Sequence, residues 1–261
     1  MQIIDGHPPG NFCWYELGTS DQDAAIKFYS GLFPWTVTKF PMGPDSFYAI
    51  PKIQDRDVCG IYKLGPEMQG VPPHWMPYVS VASADDTAAK VKAAGGAALM
   101  EPFDVFDMGR MFAMRDPTGA HLSVWQSKTH KGVGIGGAHG TPCWAELATR
   151  DTKASATFYT AVFGWGTKES SKPPMPPYVE WQNGGMSIGG MVQMDAQWGD
   201  VPPHWGMYFM VDDCDALAEK VKSGGGQILH GPFDLPGVGR MAVAKDPQGA
   251  VFNFIKLTQP M

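Results

Sequence analysis

Charge is scarce in this chain of 261 residues: Asp, Glu, Lys and Arg make up 18% of it, and the formal net charge is −6. No run of Lys or Arg could neutralise several phosphates, which argues against a nucleic-acid partner. Long apolar runs are also missing, so no segment reads as a membrane span. Residues 1–10 carry Asp5, His7 and two prolines and lack the apolar segment of a secretion signal. The expectation is a cytoplasmic protein with no membrane partner. Cysteine is sparse: Cys13, Cys59, Cys143 and Cys214 show no CxxC spacing. They read as free, largely buried thiols rather than a disulfide or a metal cluster. There is no G-x-S-x-G nucleophile elbow and no phosphate loop. Gly132-Val133-Gly134-Ile135-Gly136-Gly137 fits G-x-G-x-x-G, but a dinucleotide site needs a helix next. The next element here is a strand, Cys143–Leu147, so the glycines read as a linker.

What is present is a repeat. Cys13, Trp14, Glu16, Leu17, Thr19, Asp21, Ala24, Phe28, Tyr29, Phe33 and Trp35 recur 130 residues later, from Cys143 to Trp165. Eleven identities in 25 positions far exceed the one or two that unrelated segments share, at roughly a few per cent usage per residue type. Residues 71–125 and 201–255 share 25 of 55 positions without a gap, so both copies carry the whole unit. A repeat at this period outranks other signals. It divides the chain into a first domain (1–126), a polar, glycine-rich linker (127–140) and a second domain (141–261). Hydrophobic residues at 44% are ample for packed cores.

Each copy holds two modules of one order. Phe12–Gly18 alternates like a strand. Thr19 or Ser20 reads as the N-cap of a helix, with Asp23 completing a capping-box-like pattern from Ser20. Ala25, Tyr29 and Phe33 give that helix an apolar stripe, and Pro34 ends it. Three short apolar runs follow, over 35–40, 47–50 and 58–64, and read as strands. After Val71-Pro72-Pro73-His74-Trp75 the order repeats: a strand over 76–82, a helix over 85–94 stopped by Gly95-Gly96, then strands over 97–106, 110–114 and 120–126. Asp116-Pro117-Thr118-Gly119 is a tight turn, with Pro fixing φ and Gly supplying a positive one.

A βαβββ module used twice per domain and closing on D-P-x-G-A resembles the vicinal oxygen chelate superfamily. That superfamily includes glyoxalase I, bleomycin-resistance proteins and extradiol dioxygenases. The phrase T-x-D-x-x-A-x-x-F-Y-x-x-x-F-x-W, Thr19–Trp35 and Thr149–Trp165, is similar to its first strand and helix. The chain most resembles tandem glyoxalase-like proteins of bacteria, often labelled hydroxylase. The resemblance implies an α+β fold: two tandem domains, each of two modules forming a curved, half-open barrel.

Strand alternation then sorts the faces. Cys13, Tyr15 and Leu17 face the helices, and Trp14 and Glu16 face the concavity. The closing strand turns His121, Ser123 and Trp125 the same way, with Tyr78 and Arg110 nearby. The second copy supplies Trp144, Glu146, Tyr208, Arg240 and Asn253. Aromatic walls with few polar groups suit a small organic ligand. Glu16 and Glu146 read either as proton-abstracting carboxylates of raised pKa or as structural carboxylates bonded to Arg110 or a backbone amide. His121 reads as a catalytic group confined to the first copy or as a packed strand residue. Arg110 and Arg240 read as anion clamps or as ion-pair partners of an acid such as Glu16 or Asp104. His74 and His204 read as structural or as ligand-binding.

The resemblance also implies a metal ion, with ligands carried over to Trp14, Gly60, Met76 and Ser123, and to Trp144, Gly190, Gly206 and Asn253. None of these is a good ligand for a divalent ion. The expectation is no metal, unless a displaced site uses Glu16 with His121 or His74. As implied by the family, the function is an enzyme (lyase, isomerase or oxygenase) on a small organic substrate. The alternative is a metal-free binding protein of bleomycin-resistance type. The expected working unit is a monomer, as a fused pseudo-dimer, or a homodimer.

Overall fold

A computed structural model describes residues 1–43, 46–170 and 177–259. The fold is α+β, with one large open sheet per sequence copy. In the first sheet the strands lie in the order Thr36–Gly43, Ser46–Ile53, Gly60–Lys63, Phe12–Thr19, His74–Ser80, His121–Ser127, Gly109–Arg115 and Ala97–Ala98. Arg56–Asp57 and Phe103–Val105 add short pairings at its flanks. The second sheet runs Gly166–Glu169, Tyr178–Asn183, Met186–Gln193, Pro142–Thr149, His204–Met210, Val251–Leu257, Gly239–Lys245 and Gln227–Leu235. The two modules of one copy therefore join within that copy, through their opening strands. Glu16 stands opposite Met76 in an antiparallel pair, and Glu146 opposite Gly206.

Among the described residues four α-helices accompany these sheets: α1 (Gln22–Leu32), α2 (Ala84–Ala93), α3 (Thr152–Phe163) and α4 (Cys214–Ser223). The cap of α1 corrects the sequence reading. Asp21, not Ser20, is the N-cap; its carboxylate accepts the Ala24 N–H at 3.0 Å. Asp23 turns away to pair with Lys39. Asp151 caps α3 in the same way, as the repeat requires.

The opening strands split their side chains as alternation demands. Cys13, Tyr15 and Leu17 are buried against a core that runs continuously through both copies. Aromatic residues stitch that core. Phe12 of the first copy packs on Trp165 and Trp205 of the second, with ring centres 5.5 and 5.3 Å apart. Tyr29 packs on Phe252 at 5.3 Å. The indole of Trp35 donates to the Gly140 carbonyl and that of Trp165 to the Gly10 carbonyl, so each copy clasps the strand entry of the other. Large aromatic side chains bury 150–250 Å² each, roughly, and their polar tips need such partners.

The segment between the copies is laid down rather than loose. Ile135 and Gly136 form a two-residue pairing with Ile3 and Gln2, and the Val133 N–H donates to the Cys13 carbonyl at 2.8 Å. All four cysteines are free thiols. Among the described residues no helix is long and apolar enough to cross a membrane.

Candidate functional site

On the concave face of the first sheet, Trp14 and Glu16 project from the opening strand between two tyrosines. Tyr48, from the neighbouring hairpin, accepts the Trp14 indole N–H at 3.0 Å and donates its own hydroxyl to Glu16 Oε1 at 2.5 Å. Tyr78, opposite Trp14 in register, donates to Glu16 Oε2 at 2.5 Å. Ser123 lies beside Tyr78 in the parallel pair. The hydrogen bonds from the two tyrosines converge from both sides on one carboxyl group.

The second sheet repeats the arrangement. The Trp144 indole donates to Tyr178 at 2.8 Å and Tyr208 donates to Glu146 at 2.9 Å, with Tyr178 close enough to act on the Glu146 carboxyl. Burial pushes both glutamates above the ordinary carboxylate range, against the lowering effect of the tyrosine bonds. The desolvation cost of the charged form outweighs the donors. The same burial, with the neighbouring carboxylate, drives the hydroxyls of Tyr48, Tyr78 and Tyr208 well above their usual value. They remain donors.

Glycine makes room for this cluster. Gly60 lies beside Glu16 and Gly190 beside Glu146 in parallel pairing. A Cβ at Gly60 would overlap the Tyr48 hydroxyl, and one at Gly190 the Tyr178 hydroxyl. These glycines are the positions to which the family resemblance assigns a metal-binding carboxylate. A tyrosine hydroxyl fills the space that such a side chain would need. Among the described residues no three or more His, Cys, Asp or Glu side chains are grouped to hold an ion. The residues present do not fit a divalent metal at the family's position. The displaced alternative also fails. His121 sits at the exposed start of its strand, opposite Arg115; partial burial, then the charges of Arg115 and His74, lower its pKa. The histidine that acts on Glu16 is His130 instead. His74 and His204 face their own loops, each ring nitrogen 2.9 Å from a proline carbonyl two residues back.

For Arg110 and Arg240 the geometry matches the ion-pair reading, with Asp104 but not Glu16 among the partners. Gly109 and Met111 share the concave side with Trp125, so the residue between them points the other way. Arg110 makes a two-pronged ion pair with Asp85 on α2, at 2.8 and 2.9 Å, with Asp104 at 3.7 Å. Arg240 does the same with Asp215 on α4 and reaches Asp234. Neither touches Glu16 or Glu146. Asn253 lies beside Tyr208 but donates its amide to the Met207 carbonyl.

Sequence reasoning missed Tyr48, Tyr178 and His130. The two tyrosines occupy equivalent positions 130 residues apart, which was a usable signal. His130 carries no repeat signal. Its ring stands edge-on to Trp14 at 4.5 Å and to Trp125 at 5.8 Å. Its Nε2 lies 3.5 Å from Asp57, whose carboxyl is held low: burial pushes it up, but His130 and Lys52 outweigh that.

The sequence profile of the Glyoxalase/Bleomycin resistance protein/Dioxygenase superfamily matches twice, over residues 12–124 and 142–254. "Putative glyoxylase CFP32" of Mycobacterium tuberculosis is 38% identical over 245 residues, covering 93% of each chain. The anthracycline biosynthesis protein DnrV of Streptomyces peucetius is 32% identical over 263 residues, covering 96% of this chain and 94% of its own. Among solved structures, the Mn(II)-bound glyoxalase of Novosphingobium aromaticivorans superposes with a TM-score of 0.67 at 19% identity, over 97% of this chain and 84% of that one. The 2,3-dioxygenase LapB of Pseudomonas sp. KL28 also gives 0.67, at 13% identity, over 97% and 94%. These two share the fold.

Proposed function

The chain belongs to the glyoxalase/bleomycin resistance protein/dioxygenase superfamily, and from that premise we propose that it is an enzyme that moves a proton on a small organic substrate. The group that moves the proton is the buried carboxyl of the repeated glutamate, Glu16 or Glu146. The observation that carries this reading is the doubled constellation of one glutamate, two tyrosines and one tryptophan on the concave faces. A carboxyl raised toward neutrality by desolvation gives and takes a proton with little driving force wasted. The tyrosine hydroxyls hold it in one orientation and stabilise its charged form once the proton has left. The tryptophan and the apolar walls bind the rest of the molecule.

We take two candidate substrate classes, α-oxoaldehydes and hydroxylated polycyclic aromatics, one prompted by the relative called a putative glyoxylase and one by the relative called an anthracycline biosynthesis protein. Each offers a carbon or oxygen acid next to a carbonyl. No step is routed through a metal ion, because the donor set does not suit one. The working unit is the monomer, since the two copies already bond to each other as two subunits would. Four free thiols accord with a reducing compartment, the cytoplasm.

The second reading is a binding protein without chemistry. It is favoured by the hydrogen bonding already in place: Glu16 is held by Tyr48 and Tyr78, and Glu146 by Tyr208. The deciding experiment treats purified protein with chelator and then supplies methylglyoxal with a thiol, or 1,4-dihydroxyanthraquinone. Consumption of either that falls in the Glu16→Gln/Glu146→Gln double variant supports the enzyme. Undiminished consumption in the double variant overturns it. Stoichiometric binding without consumption supports the second reading.

A further inference from the structure

The repeat serves as an internal control. What the fold requires stands in both copies, and a side chain found in one copy alone answers to something else. Along the core-facing side of the opening strands, Cys13 is matched by Cys143 and Leu17 by Leu147, but Tyr15 is matched by Ala145. The strand packs in the second copy without a phenol ring. Two polar residues of the amino-terminal segment are unrepeated as well: His7 is matched by Gly137 and Asn11 by Thr141.

These three side chains meet at a cavity of about 220 Å³, where the two copies and the linker join. Ile4, Phe12 and Val133 wall it on one side, and Pro142 and Ile188 of the second copy on the other. Cys143 completes the lining, and no carboxylate, ammonium or guanidinium group belongs to it. Tyr15 is 6% exposed, yet among the described residues its hydroxyl has no hydrogen-bond partner. That hydroxyl is not sealed from solvent; its remaining surface opens into the cavity. The other buried tyrosines, Tyr29, Tyr78, Tyr159 and Tyr208, each donate to a carboxylate. A buried polar group left without a partner calls for an explanation. The neighbouring polar groups are already engaged. His7 Nε2 lies 2.9 Å from the Val133 carbonyl, and the Cys143 thiol 3.5 Å from that of Tyr208. The Asn11 amide oxygen accepts from Asn183 at 2.7 Å, which leaves its N–H groups as further donors.

We propose that this junction cavity is a binding site for a small, uncharged, single-ring molecule whose carbonyl oxygen accepts from the Tyr15 hydroxyl. An apolar cavity of roughly 150 Å³ takes a benzene-sized guest, so this one has room for a six-membered ring with a short carbonyl substituent. A charged guest would lose its hydration and meet no opposite charge. With donors on the wall, the guest must bring an acceptor. Tyr15 and Glu16 point to opposite faces of one strand, so the site is separate from the concave faces and does not depend on the proton-transfer reading. Because its walls come from both copies and from the linker, a bound guest ties the copies together and stabilises the folded chain.

Calorimetric titration of the intact chain with acetophenone tests this. The expected result is one molecule bound saturably per chain, with a melting temperature that rises as acetophenone is added. Tyr15→Phe keeps the ring and deletes the donor, and should weaken binding at least about tenfold. Without acetophenone its melting temperature should be no lower than that of the unaltered chain. The Glu16→Gln/Glu146→Gln double variant should bind acetophenone as the unaltered chain does. Absence of saturable binding at millimolar acetophenone, or undiminished binding in Tyr15→Phe, overturns the assignment. A lower melting temperature in Tyr15→Phe makes the hydroxyl structural and overturns it too. Binding that survives Tyr15→Phe and is lost in the double variant moves the guest to a concave face; that result overturns this assignment and leaves the proton-transfer reading standing.

Discussion

The Tyr29 hydroxyl of the first copy donates to Asp246 of the second at 3.1 Å, and Tyr159 of the second returns the bond to Asp116 of the first at 3.0 Å. Each aspartate belongs to the D-P-x-G turn, where its other oxygen gathers three backbone N–H groups. The turn motif therefore shapes its own hairpin and also binds the opposite copy.

Tyr29→Phe leaves a buried Asp246 oxygen without its donor. Such a loss costs about 1–3 kcal/mol. Urea unfolding should show a lower midpoint with an unchanged slope. An unchanged midpoint would mean that this bond contributes nothing to the union of the copies.

Gly190→Ala puts a methyl group where the Tyr178 hydroxyl lies. The tyrosine must swing away, losing its bond from the Trp144 indole. Overpacking of this kind costs about 1–3 kcal/mol, and turnover should fall with it. A crystal structure of the variant with Tyr178 still bonded to Trp144 would refute the steric argument.

The pH dependence of stability has a definite sign. Burial raises the carboxyls of Glu16, Glu146 and Asp246 above their unfolded values. In the window between the two values the folded state holds more protons, so stability falls as pH rises. Their contribution is fully present below the ordinary carboxylate range and is lost as pH climbs through the raised values. Asp57, Asp85, Asp104, Glu180 and Asp215 work in the opposite direction, since their carboxyls are held low, and so do His7 and His121, whose pKa values are lowered. The contribution of Glu146 is therefore read by difference: between mildly acidic and neutral pH the melting temperature of Glu146→Gln should rise relative to that of the unaltered chain as pH increases; a difference that falls with pH would contradict this.

Arg110→Ala and Arg240→Ala should leave ligand affinity and turnover unchanged, because both side chains are spent on Asp85 and Asp215. Loss of binding in either would restore the anion-clamp role read from sequence.

The fold was legible because the repeat and strand alternation act on the same residues. Trp14 and Glu16 could be turned to the concave side from Cys13, Tyr15 and Leu17 alone. Arg110 was not legible in this way. Its side of the sheet is set by where the 109–115 strand begins, and that depends on its pairing with 121–127. Tyr48 and Tyr178 sit in hairpins where the copies diverge, so their shared position drew no notice beside the dense identities elsewhere. His130 was hidden for a different reason. Glycine-rich composition reads as a flexible linker, whereas the pairing of Ile135 with Ile3 and the close passage at Gly132 fix its path.

The protonation of the two buried glutamates is the most direct measure of the account. NMR titration of protein labelled with 13C at the glutamate carboxyl carbon should reveal two resonances that titrate above the ordinary carboxylate range, one absent in Glu16→Gln and the other in Glu146→Gln. If every glutamate carboxyl titrates within or below that range, the concave faces hold plain carboxylates and the proposed proton transfer has no group to perform it.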